Sequence, residues 1–468
     1  VLACQVLDTI LSVFSGTLMK LDKLKALREN LSPNLLKVLA NTAWLFADKI
    51  LQLCLGLFVG LWVARYLEPD KFGLLNYAIA MAGLFAPLAS LGLNSIILRD
   101  LAREPAHKDE ILGTTFILKL FASILTIILT MITVWILEPD KHTLHLMVGI
   151  LVLATFFQEI SGPIDYWFGA QVQSKYSIWS TNSAYLLINV VKLFLIRIRA
   201  SLIAFSWVIT AEKALAAIAL VITYQIKGNS VLTWRFNRER AQALLKQSWY
   251  LILSGFVIFI YMRIDQIMIG QINTNPTELG NYAAAVKVSE LWYFVPNAVI
   301  QSVFPSIVQA KDTNEKIYYK RIQNLLYLMC AISYAIAIPL TFFSQPIIRI
   351  LYGKNYLGAA PSLAVLIWAG LFVALGMARN PWLITENLMS FSAATTGVGA
   401  VVNIILNFIL IPKYGGLGAG IATLAAQFVA SYASNAIFPK TRPMFVMQTK
   451  ALFFWDWIQF GLKKLSAS

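Results

Sequence analysis

Ionisable side chains recur inside the long apolar runs of this 468-residue sequence: Asp48, Lys49, Glu159, Asp165, Lys192, Glu212, Lys213, Arg263, Asp265, Lys287, Glu290 and Arg379. A charge placed in hydrocarbon is costly, and where one persists it usually faces a protein interior or a watery path and has a function there. The cations Arg263, Lys287, Lys49 and Arg379 are the candidates for holding an anionic group such as a phosphate. Arginine offers phosphate a planar fork and lysine a point charge. The carboxylates Asp265, Glu290, Asp48, Glu159 and Asp165 are the candidates for binding a proton or a sodium ion. The set is balanced in sign, so charge arithmetic alone does not choose between an anionic and a cationic ligand.

Each candidate also has a plain structural reading. Asp48-Lys49 and Glu212-Lys213 are sequence neighbours, about 100° apart on a helix, so either couple can serve to link helices rather than pair internally. Lys192 lies near the outer end of its run, where a long cation snorkels toward water. Arg379 stands beside Pro381 at the inner end of a run, where a rim position is as natural as a ligand contact. Arg263 precedes the end of its run at Ile272 by nine residues, and Lys287 follows the start of the next run at Leu279 by eight. At about 1.5 Å per residue both sit roughly 12–14 Å below the outer boundary, in one layer with Asp265 and Glu290. Lys287 and Glu290 are three apart and can pair on one helix face. Arg263 and Asp265 are two apart and must point to opposite sides.

Other chemistry is missing. His142 and His145 are three apart, but no carboxylate and cysteine set completes a metal site with them or with His107. Cys4, Cys54 and Cys330 show no C-x-x-C spacing. No nucleophile triad, phosphate-binding glycine loop or ATPase motif is present, and Gly397-Val398-Gly399 lies in an apolar run where it cannot be a nucleotide loop. We therefore expect no enzyme, no cofactor and no metal.

The elements that must position these charges follow from composition. Hydrophobic residues make up 58% and charged residues 13%, against about 25% charged in soluble domains; the mean hydropathy is +0.68. A bilayer can accommodate such a chain, and a span takes about 20 apolar residues. Runs of that kind fall near 39–66, 73–98, 111–137, 144–171, 175–196, 202–226, 247–272, 279–305, 323–345, 360–385, 388–412 and 416–438. With a cytoplasmic N-terminus, the inside segments hold 23 Lys and Arg against 8 outside, as the positive-inside rule requires of twelve spans with both ends inside. The net charge of +15 is explained by these loops, with no call for nucleic acid.

A repeat divides the chain. Leu35-Leu36-Lys37 before Trp44 matches Leu244-Leu245-Lys246 before Trp249, and Pro69-x-x-x-Gly73 matches Pro276-x-x-x-Gly280. Six spans per half give both halves one orientation, a parallel repeat of the kind whose interface carries the binding site in some transporters. The expected organisation is a cytoplasmic segment 1–38, a six-helix bundle 39–226, a cytoplasmic linker 227–246, a second bundle 247–438 and a tail 439–468. Lys450 to Lys464 reads as an interfacial amphipathic helix. Val1 to Gly16 make a poor signal peptide, and Met19 is a plausible natural start.

At this point the residues themselves resemble a family. Asn41 to Lys49 (NTAWLFADK), Gly56 to Ala80 (GLFVGLWVARYLEPDKFGLLNYAIA), Leu88 to Arg103 (LASLGLNSIILRDLAR), Tyr261 to Ile272 (YMRIDQIMIGQI), Asn281 to Pro296 (NYAAAVKVSELWYFVP) and Pro412 to Thr423 (PKYGGLGAGIAT) are similar to polysaccharide-biosynthesis flippases of the O-antigen transporter type. These belong to the multidrug/oligosaccharidyl-lipid/polysaccharide exporter superfamily. The resemblance covers residues 31 to 440. It implies an all-α polytopic fold of about twelve helices in two six-helix bundles facing a central cavity. It also implies alternating-access translocation of undecaprenyl-diphosphate-linked oligosaccharide across the bacterial plasma (inner) membrane. Its expected partners are that lipid-linked oligosaccharide, membrane lipids, and a polysaccharide polymerase or glycosyltransferases. An ion-coupled drug or metabolite exporter of the same superfamily is the alternative, and would want a cavity dominated by Asp or Glu. A membrane glycosyltransferase would want a large soluble loop, whereas the connections here reach only about 20 residues, near the ordinary loop range.

Overall fold

The computed structural model describes residues 33–454, residue 274 excepted. The proposed start at Met19 and most of the amphipathic tail expected over Lys450 to Lys464 lie outside the described residues. The described residues are helices and short connections without a strand. In lipid a helix satisfies its own backbone hydrogen bonds, so apolar runs of this length have little alternative.

Ten helical stretches are long and apolar enough to cross a membrane. Two of them break internally, which accommodates twelve crossings. The stretch Pro33–Gly83 turns at Glu68, which takes φ 59 and ψ 167 just before Pro69; this separates α1 (33–67) from α2 (69–83). Helix α2 continues through Ala86–Ser90 and Asn94–Arg103. Then follow α3 (Lys108–Leu137), α4 (His142–Ala170), α5 (Ser174–Arg197) and α6 (Leu202–Ile226). The second half contains α7 (Arg238–Ile272), α8 (Pro276–Glu290, continued by Phe294–Thr313), α9 (Glu315–Phe342) and α10 (Ala359–Thr385). The stretch Met389–Phe428 turns at Gly415, with φ 55 and ψ −133, giving α11 (389–414) and α12 (416–437). A last helix, α13, spans Arg442–Leu452.

The expected linker 227–246 is helical from Arg238 onward, because Asn237 caps α7 by accepting from the Arg240 amide at 3.1 Å. The following Glu, Arg, Ala and Leu residues favour helix. Helices pack mainly within their own half: α3 on α4, α4 and α5 on α6, then α9 and α11 on α10, and α11 on α7. Between the halves, α8 packs on the first stretch.

The repeat found in the sequence is the seam of the molecule. Thr277 donates to Asp70, and these residues are 207 apart, the same separation as Pro69 and Pro276. Gly73 and Gly280 cross at this seam. A Cβ on Gly280 would lie 1.9 Å from the Pro69 carbonyl oxygen, and one on Gly73 would lie 2.3 Å from that of Pro276. The halves even break their helices at matching places, α2 after Gly83 and α8 after Glu290, where a 3-10 turn covers Leu291–Tyr293.

Candidate functional site

A cavity of about 370 Å³ lies between the halves. It is lined by Asn76, Ile79, Ala80 and Gly83 of α2, by Phe259, Arg263 and Gln266 of α7, and by Ala283, Val286, Lys287 and Glu290 of α8. The structure thus brings together Arg263, Lys287 and Glu290 of the sequence candidates. Arg263 Nη2 donates to Glu290 Oε2 at 3.1 Å, and both groups keep substantial exposure. Lys287 is exposed, with Nζ 4.5 Å from the ring centre of Phe72. The pairing of Lys287 with Glu290, allowed by their three-residue spacing, does not occur. Glu290 ends its α-helical segment, where the chain tightens into the 3-10 turn, and it goes to Arg263 of the neighbouring helix. Lys287 therefore keeps its charge free of a carboxylate among the described residues.

Above this cavity, on the expected outer side, the ends of the halves are tied together. Arg65 donates from Nε to the Leu351 carbonyl at 2.8 Å and also reaches the carbonyl of Ile350. Tyr356 donates to the Ala64 carbonyl at 2.6 Å. Gln271 of α7 donates to the Tyr77 hydroxyl at 2.5 Å and to Glu138 at 3.1 Å, while Tyr77 donates to Glu138 at 3.0 Å. Glu278 accepts from the Gly416 amide at 3.0 Å, an acid at a helix N-terminus where the helix dipole favours it. On the expected inner side, α2 meets α7 through Gly92 against Leu251 and Gly255 against Pro87.

Asp265 points the opposite way from Arg263, as its spacing requires, into the second half, where it is 5% exposed. Its Oδ1 accepts from the Gln266 amide at 2.8 Å, and its Oδ2 accepts from the Tyr282 hydroxyl and from Thr423 at 3.4 Å. Behind Thr423 stand Asn403, donating at 3.5 Å, and Asn407, donating to Asn403 at 3.0 Å. Among the described residues the buried Asn407 Oδ1 has no hydrogen-bond partner. Donors from α7, α8 and α12 thereby meet one buried carboxylate, and α11 stands behind them through Asn403. Asn403 and Asn407 are not among the sequence candidates; two asparagines four apart in an apolar run were the available signal.

The first half holds a separate cluster. Lys119 is fully buried and donates to Glu159 at 2.5 Å and to Tyr166 at 2.8 Å, while Tyr166 donates to Asn94 at 2.5 Å. Lys119 is also missing from the sequence candidates, although a lysine well inside an apolar run is itself a signal. Glu159 is thus neutralised by a lysine. Asp165 is exposed and feels the carboxylate of Asp48; Asp48 accepts from Gln52 at 2.8 Å. Lys49 is exposed beside it on α1.

Two sequence expectations need correction, and the pairing left open for Glu212 and Lys213 is resolved. Arg379 does not line the cavity: at 4% exposure it is packed inside the second half. It donates to Asn435 Oδ1 at 2.8 Å, the Ala430 carbonyl at 3.3 Å and Thr395 at 3.4 Å. Ala430 lies in a π-turn, Val429–Ala433, whose wider backbone leaves carbonyls for such a donor. Lys192 does not snorkel outward but turns to Glu212 at 3.3 Å. Lys213 also reaches Glu212 at 3.3 Å, so these sequence neighbours do pair. A larger groove of about 670 Å³ between α3, α4 and α6 presents almost nothing polar beyond Ser161, and offers no ligand for a charged group.

Comparison with known proteins agrees with this architecture. A family model described as "Polysaccharide biosynthesis protein" matches residues 62–361. The probable low-salt glycan biosynthesis flippase Agl15 of Haloferax volcanii is 25% identical over 233 residues, 47% of this chain and 48% of that protein. The chain thus spans about half the length of that relative. The putative O-antigen transporter of Escherichia coli is 20% identical over 376 residues, covering 78% of this chain and 88% of that protein. Among solved structures, an inward-facing multidrug resistance MATE family transporter of the MOP superfamily aligns with TM-score 0.70 at 14% identity, covering 85% of this chain and 95% of that one.

Proposed function

Since this chain belongs to the polysaccharide biosynthesis protein family, within the multidrug/oligosaccharidyl-lipid/polysaccharide exporter superfamily, we propose that it is a flippase for lipid-linked oligosaccharide. The cargo is an oligosaccharide on a polyisoprenyl diphosphate, undecaprenyl diphosphate in a bacterium, carried across the plasma (inner) membrane for O-antigen-like surface polysaccharide. The observation that carries this reading is the cavity lined by Arg263 and Lys287. Its carboxylate, Glu290, is engaged by Arg263, which leaves Lys287 uncompensated. An excess of cation suits a diphosphate and argues against the cation exporter that the same fold would also suit.

Mechanistically, the halves 39–226 and 247–438 act as two bodies that rock against one another, closing and opening the Gly73–Gly280 crossing at the outer end. The oligosaccharide head enters from the inner side while the outer ties hold, and the diphosphate displaces Glu290 from Arg263. Opening of Arg65–Leu351, Tyr356–Ala64 and Gln271–Tyr77–Glu138 then releases it outward, the isoprenoid tail staying in lipid throughout. Asp265 is the coupling site we favour for a proton or sodium ion, because it is held by neutral hydrogen-bond donors rather than by a cation among the described residues. Glu290 and Glu159 are less suited, each being held by a cation, and Asp48 with Asp165 forms the second choice. The test is reconstitution of the full chain in vesicles with a labelled polyisoprenyl-diphosphate oligosaccharide, scoring access of the glycan to an external lectin. Protein-dependent equilibration supports the reading; equilibration no faster than in empty vesicles, with a cationic dye exported instead, overturns it.

A further inference from the structure

On the inner face of the first half, lysines from three helices converge on two aromatic rings. Lys227, just past the end of α6, holds Nζ 4.2 Å from the ring centre of Tyr176, and Lys175, at the start of α5, holds it 4.9 Å from the same ring. Lys108, the first residue of α3, lies 5.1 Å from the ring centre of Trp167 near the end of α4. The loop after α6 ties these together. Gly228 takes φ 78, and Asn229 then accepts from Lys108 Nζ at 2.7 Å.

Among the described residues none of these three lysines has a carboxylate within ion-pair distance. The nearby acids Glu104 and Glu110 are both taken by Arg240, and Asp109, the neighbour of Lys108, sits by Tyr224. Inside-positive topology asks for cations at this surface, but not for their convergence. Like charges drawn together cost free energy unless an anion joins them. Lys175 and Lys227 are exposed and Lys108 partly so, which leaves these cations open to an incoming anion.

We propose that this cradle binds the phosphate of an anionic phospholipid of the inner leaflet. The position fits a headgroup rather than a solute: the rings of Trp167 and Tyr176 mark the interfacial belt, and basic pockets between helices on the cytoplasmic side are suited to anionic headgroups. The site lies at the opposite end of the helices from Arg263 and Lys287, and does not depend on what the central cavity carries.

The test is native mass spectrometry of the purified full chain, titrated with phosphatidylglycerol and, separately, with phosphatidylcholine. The variants are the triple Lys108→Gln/Lys175→Gln/Lys227→Gln and a control triple, Lys316→Gln/Lys320→Gln/Lys440→Gln, which removes as much charge from exposed inner positions. Phosphatidylglycerol should bind the cradle triple on the order of a hundredfold more weakly than wild type, since each interfacial lysine contributes about a fivefold factor. The control triple should stay close to wild type, and Lys-to-Arg changes at the cradle should retain binding. Lys227→Gln alone, losing about fivefold, keeps the test valid if the triple is unstable. The proposal is overturned if phosphatidylcholine binds as tightly, if the control triple loses as much, or if millimolar inorganic phosphate displaces the lipid, which would make the cradle a solute site.

Discussion

Gly73 and Gly280, equivalent residues of the two halves, meet backbone to backbone: a Cβ on Gly73 would lie 2.7 Å from the Gly280 amide nitrogen. Bulk at this crossing must separate the outer ends, because the obstructing atoms are backbone and cannot swing away. Overpacking of this kind costs about 1–3 kcal/mol, enough to shift a two-state equilibrium about fivefold or more. We expect Gly280→Val to raise the rate at which an impermeant thiol reagent, added from outside, labels a cysteine placed at Ala80, in a chain otherwise freed of cysteine. Unchanged labelling in a variant with wild-type thermal stability would contradict a seal at this seam.

Lys119 and Glu159 supply a second prediction. The pair is buried and close, at 2.5 Å, so removal of one partner leaves an uncompensated charge. Lys119→Met should destabilise the chain by about 3–5 kcal/mol, and Lys119→Met/Glu159→Leu should recover most of that loss. Thermal unfolding in detergent reads both. A double variant as unstable as the single would mean that Lys119 is needed for more than neutralising Glu159.

Asp265 supplies the third. Asp265→Asn keeps the shape of the site and removes its charge. Downhill equilibration of the lipid-linked glycan should persist, while acceleration by an imposed sodium or proton gradient should vanish. Glu290→Gln should retain the gradient response. If Asp265→Asn responds to the gradient like wild type, the coupling ion is bound elsewhere, with Asp48 and Asp165 the next to test.

Helix positions and the opposed directions of Arg263 and Asp265 were legible in the chain, because apolar run length and a two-residue spacing determine them locally. So was the repeat, through the two copies of Pro-x-x-x-Gly, though not that these copies meet at Gly73 and Gly280. Contacts that depend on how helices meet were not legible. Glu290 takes Arg263 of α7, while Lys287 lies over the Phe72 ring of the first half, a choice no spacing rule encodes. Asn403 and Asn407 carry no charge, and it is the return of the chain at Gly415 that sets them, through Thr423 of α12, behind Asp265. Arg379 read as a ligand contact or a rim residue from its place beside Pro381, yet α12 gives it the Ala430 carbonyl and the Asn435 amide as partners in the interior. Lys119 was visible as a mid-run cation, but its meaning rests on α4, 40 residues away.

The central claim is that Arg263 and Lys287 meet the substrate diphosphate. It is tested most directly by glycan equilibration in vesicles with four variants: Arg263→Lys, Lys287→Arg, Arg263→Gln and Lys287→Gln. Charge-retaining changes alter the geometry of phosphate recognition, and the neutral ones remove a charge-assisted hydrogen bond of about 1.5–3 kcal/mol. The account predicts that each Gln variant, inserted and folded like wild type, moves glycan at least about tenfold more slowly, with the Lys and Arg exchanges intermediate. Wild-type rates in all four would contradict it.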